Sequence, residues 1–61
     1  MSKTYTIIIN TGNSAFDDNP NQEVARILRN MAQRLDDIGF LPHPRDINGN
    51  TVGATIETEG S

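Results

Sequence analysis

Residues 19–40 read Asn-Pro-Asn-Gln-Glu-Val-Ala-Arg-Ile-Leu-Arg-Asn-Met-Ala-Gln-Arg-Leu-Asp-Asp-Ile-Gly-Phe, and this stretch decides the fold. Asn19 suits a helix N-cap, Pro20 the first helical position, and Gln22 the place of a capping-box partner. Asp17, Asp18 and Glu23 add negative charge where the helix dipole welcomes it. Val24, Ile27, Leu28, Met31, Leu35 and Ile38 then recur at steps of three and four, widened by Ala25 and Ala32, which predicts a core-facing stripe. Arg26, Arg29, Asn30, Gln33, Arg34 and Asp37 fill the other faces, with Glu23 to Arg26 and Arg34 to Asp37 spaced for weak surface pairs. Gly39 suits a left-handed helix ending, and Phe40 is placed to touch Leu35 across it.

Toward the N-terminus, residues 3–10 are dense in β-branched side chains and predict a strand, with Tyr5, Ile7 and Ile9 on one face and Thr4, Thr6 and Ile8 on the other. Turn formers dominate residues 11–19, where Phe16 is expected to plug the gap between helix and sheet. Toward the C-terminus, Pro42 and Pro44 force an extended segment around His43. Asn48-Gly49 then signals a type I′ hairpin between a second strand and a third at about 50–58, in which Gly53 marks a bulge or a close backbone approach.

The expected fold is α+β in the order strand, helix, strand, strand, with one amphipathic helix packed on a three-stranded sheet. Residues 1–58 form one domain on this reading. Residues 59–61 are expected to be a disordered tail, and Gly60-Ser61 also fits a remnant of cloning.

With 61 residues, 34% apolar, no Trp and no Cys, the core is thin and disulfides are excluded as its support. One histidine and no thiolate leave no zinc site, so neither a metal nor a cofactor is expected. Self-association, as a homodimer or higher oligomer, is the support that remains. A net charge of −3 with five basic residues argues against non-specific nucleic-acid or acidic-membrane binding. No apolar run reaches the roughly 20 residues of a membrane span, and no export signal is legible, so a cytoplasmic location is expected.

Few residues point to chemistry. His43 is the only imidazole, with Asp46 near in sequence, yet no serine sits in a nucleophile motif, so an enzyme is not expected. Asp17, Asp18 and Asn19 lack the alternating oxygen ligands of a calcium loop and read as a helix cap. Thr11, Gly12, Asn13 and Ser14 lie between a strand and a helix, a common place for ligand binding through backbone amides, although the nearby aspartates repel an anion. Arg26, Arg29 and Arg34, together with Asn48 and Asn50 of the hairpin, are the candidate protein-binding surface.

The segments Tyr-Thr-Ile-Ile-Ile-Asn-Thr-Gly-Asn-Ser-Ala-Phe at 5–16, Glu-Val-Ala-Arg-Ile-Leu-Arg at 23–29 and Arg-Asp-Ile-Asn-Gly-Asn-Thr-Val-Gly at 45–53 resemble a group of short, mostly uncharacterised proteins of bacteriophages, prophages and proteobacterial mobile elements. The resemblance carries no site residues. It implies a setting in which small accessory proteins often inhibit host systems, including bacterial defence, by binding. The function expected is that of a non-enzymatic, self-associating binding protein acting on a host protein, its acidity suited to a basic partner surface. The alternatives are a small-ligand, nucleotide-binding sponge and a DNA-binding accessory protein.

Overall fold

A computed structural model describes residues 2–60, in the order β1 (Ser2–Ile9), a single 3-10 turn (Ser14–Phe16), α1 (Pro20–Ile38) and β2 (Gly53–Gly60). The helix follows its caps. Asn19 Oδ1 accepts the Gln22 N–H at 3.1 Å, Pro20 opens the first turn, and Gly39 closes the last with φ 70° and its N–H donated to the Leu35 carbonyl at 3.0 Å. Of the two spaced charge pairs only Glu23 and Arg26 join, while Asp37 accepts instead from the Gln33 amide at 2.9 Å.

The sheet corrects the expectation of three strands: β1 and β2 form a two-stranded antiparallel ribbon, from Ile9 opposite Gly53 out to Ser2 opposite Gly60. The expected second strand is reduced to one bridge, Arg45 with Thr51. The cause is chemical. Pro42 and Pro44 lack the alternate N–H donors that a ladder needs. Residues 42–44 instead lie along β2 as an arm held by substitutes: Val52 N–H to the Pro44 carbonyl (3.0 Å), Thr55 hydroxyl to the Pro42 carbonyl (2.8 Å) and Thr55 N–H to His43 Nδ1 (2.9 Å).

The Asn-Gly turn also differs from the type I′ form, which needs a positive φ at both Asn48 and Gly49. Among the described residues only Gly39 and Gly49 have positive φ. Gly49 donates its N–H to the Asp46 carbonyl at 3.0 Å, and Asp46 donates to the Asn50 carbonyl at 2.9 Å, giving a three-residue loop with glycine in the left-handed position. The expected tail is corrected in part as well. Glu59 and Gly60 pair with Lys3 and Ser2 in the ribbon, because β-sheet hydrogen bonding needs no apolar anchor; Ser61 lies outside the described residues.

Phe16, Ile27, Met31 and Val52 form the core, edged by Ile9, Ala15, Val24 and Leu41. It sits at the root of the ribbon, where the 3-10 turn and Val52 meet the first half of α1. The helix is therefore not laid along the sheet, and Leu28, Leu35 and Ile38 of the expected core stripe stay exposed.

Candidate functional site

In the 11–14 loop the Gly12 N–H and the Asn13 side chain are engaged by neighbouring protein groups. Asn10 Oδ1 accepts the Gly12 N–H at 2.9 Å, Asn13 Oδ1 accepts the Ala15 N–H at 2.9 Å, and Asn13 Nδ2 donates to Asp46 Oδ2 at 2.8 Å. Asn13 is thus a bracket between this loop and the hairpin. Thr11 and Ser14 are exposed.

Asp46, only 4% exposed, organises the hairpin. Its Oδ1 accepts the N–H groups of Asn48 and Asn50, both at 2.9 Å, and its Oδ2 accepts the side-chain amides of Asn13 and, at 3.4 Å, Asn50. Beside it Glu23 takes the Arg26 guanidinium with both oxygens, at 2.9 and 3.1 Å, and the Ile47 N–H at 3.0 Å; Arg26 also donates to the Arg45 carbonyl at 3.3 Å. Two carboxylates thereby fasten the hairpin to the helix and the 3-10 turn.

The Arg26 hydrogen bond, opposed by burial, holds the Glu23 carboxyl below its ordinary range. Burial pushes Asp46 upward, but the donors from Asn50, Asn13 and Asn48 outweigh it and the net direction is down. Depressed native values mean that the unfolded chain binds more protons in the acid range, so this stabilisation is complete above about pH 5 and is lost as pH falls through the native values. A melting temperature that is flat from about pH 6 to 8 and falls below about pH 5 is the expected profile. Asp46→Asn, which places an NH2 against donors, should lower the pH 7 melting temperature by about 5–10 °C, the gap to the parent closing as pH falls through the depressed native value of Asp46. Calorimetry across pH reads both, and parallel curves would contradict the assignment.

A different part of the surface is free to bind. Between the middle of α1 and the arm lies a cleft of about 380 Å³, lined by Ile27, Asn30, Met31, Arg34, Phe40, Pro42, His43, Arg45 and Thr51. Of the arginines singled out by sequence, Arg34 enters this cleft and Arg26 is spent on Glu23. At 100° per residue Arg29 lies about 140° round the helix from Arg34, while Asn48 and Asn50 sit on the hairpin that Glu23 and Arg26 tie to the helix. Phe40, expected against Leu35 at the helix ending, and His43, weighed as the only imidazole, line the cleft together with Arg45. Their signal is tertiary, because the arm must fold back on α1 before they meet Arg34. Among the described residues no three His, Asp or Glu side chains form a metal-ligating group, and no helix is long and apolar enough to cross a membrane.

The ribbon offers a third feature. Tyr5 and Ile7 lie on one face, Ile8 and Ile56 on the other, and all four are between 39% and 49% exposed. No family model, curated protein or solved structure matches the chain.

Proposed function

We propose that the chain is a non-enzymatic binding protein that works as a self-paired oligomer, with a host protein as its target in the phage or mobile-element setting the sequence resembles. The observation that carries this reading is the open ribbon. A two-stranded sheet with apolar residues on both faces is marginal in water, whereas three or more strands with an apolar face hold. The molecule is also expanded for one chain. Its radius of gyration is 12.5 Å, against about 10.5 Å for a compact domain of this length. Its accessible surface is 4507 Å², against roughly 3,900 Å² from monomer scaling. The excess of about 600 Å² approaches what one partner contributes to a standard interface.

The edge that suits a second copy is β1. Part of the β2 edge is covered by the arm, and the rest carries Glu57 and Glu59, which would repel their own copies across a two-fold axis. Within residues 2–9 only Lys3 is charged. Antiparallel β1 to β1 pairing would give a four-stranded sheet on which the isoleucines of both copies adjoin. Light scattering should return twice the chain mass of 6.7 kDa. Ile7→Lys, which puts a charge on the pairing edge, should return the monomer with its helix content intact. A parent protein that is monomeric at 100 μM would sink the self-pairing. The host-protein target is tested by capture from a bacterial lysate with the parent and the Ile7→Lys form, where no stoichiometric protein on either bait would count against it.

A further inference from the structure

We infer that the cleft between α1 and the 40–45 arm binds a mononucleotide, its phosphate on Arg34 and Arg45 and its base against Phe40. The charge pattern carries the first half. The chain has eight acidic and five basic residues, yet the cleft is lined by two of the arginines and the only histidine, and by no acid. Among the described residues the one ion pair is Glu23 with Arg26, so neither Arg34 nor Arg45 is neutralised by a carboxylate. Paired guanidinium forks match a phosphate or carboxylate.

The apolar half calls for a ring on the anion. Buried Ile27 and Met31 lie at the floor, and Phe40, 59% exposed, stands at the rim, where stacking on a planar base would cover it. Asn30 adds an amide that can donate and accept. His43 Nδ1 accepts the Thr55 N–H, which leaves the neutral ring's proton on Nε2 as a further donor in the lining. A volume of about 380 Å³ falls at the small end of ligand pockets, the scale of one nucleotide.

The walls are held before any ligand arrives. Gly39 fixes the turn into Phe40 through Leu35, two prolines stiffen the arm, and the Arg45 carbonyl is tied to Arg26. None of the lining belongs to β1, so the site is independent of the self-pairing edge.

The test is a calorimetric titration of the full chain with adenosine monophosphate, adenosine, inorganic phosphate and benzoate, repeated on the Ile7→Lys form. The expected result is saturable binding of the monophosphate, at least about tenfold weaker binding of each other probe, and equal affinity in the Ile7→Lys form. Arg34→Ala, Arg45→Ala and Phe40→Ala alter exposed side chains and should each weaken the monophosphate about tenfold without moving the melting temperature. Phosphate binding as tightly as the monophosphate would overturn the base subsite. Preference for benzoate would overturn the phosphate assignment, and no heat with the monophosphate at 10 mM would overturn the site.

Discussion

Gly53→Ala is expected to lower the melting temperature by about 10–20 °C, seen by circular dichroism at pH 7. A Cβ there would sit inside contact distance of the Ile8 carbonyl and 3.1 Å from Pro44 Cγ. The first neighbour is backbone of the pairing strand and the second is the buried proline of the arm, so neither yields as a side-chain tip would. Overpacking of this kind costs about 1–3 kcal/mol. A 61-residue domain holds only about 3–9 kcal/mol in total. Gly49→Ala is the matched control. It too replaces a glycine, at φ 85°, but nothing lies within 4 Å of the added methyl, so its cost is the left-handed backbone alone, about 1–2 kcal/mol. Should Gly53→Ala melt within about 2 °C of the parent, the close approach of β2 to β1 and the arm would be refuted.

Ile27→Ala should abolish the cooperative melt altogether. Ile27 is 1% exposed and is shared by the helix, the Phe16 turn and the Val52 strand root. Truncating a fully buried isoleucine costs about 2–5 kcal/mol, and a core with so few members has little to collapse into the hole. Ile38→Ala on the same helix removes the same atoms from a position 64% exposed and should change stability by about 0.5 kcal/mol or less. Near-ultraviolet dichroism and the heat of unfolding separate the two, and equal losses would place the core elsewhere.

The helix was legible because its signals are local: Asn19, Pro20 and Gly39 act on the turns they occupy, and the structure uses all three. Gly53 was legible for a similar reason, since glycine in an otherwise β-branched strand marks a crowded backbone. Asn-Gly implies a ladder on both sides of the turn, but Pro42 and Pro44 remove its donors, and the second strand is missing for that reason. The apolar stripe of α1 gives the right face but not how much of it is covered. Leu28, Leu35 and Ile38 carry the same periodicity as Ile27 and Met31, and only the position of the ribbon root separates buried from exposed. Asp46 carries a local signal too, an acidic residue opening a turn, where its oxygens meet the following amides. The cleft had none, because Arg34 and Arg45 belong to segments that only the folded arm brings together.

Ile9 opposite Gly53 and Ser2 opposite Gly60 mean that the ribbon closes over nearly everything between them. Loop-closure entropy must be met before such a pairing is rewarded, while the helix and the 44–52 turn form from neighbours. The ribbon is therefore the last part of the fold to assemble, zipping outward from its root. During synthesis the strand made first must wait for the strand made last, its Ile7-Ile8-Ile9 run uncovered all the while, and that interval is when the chain is most exposed to mispairing with its own copies.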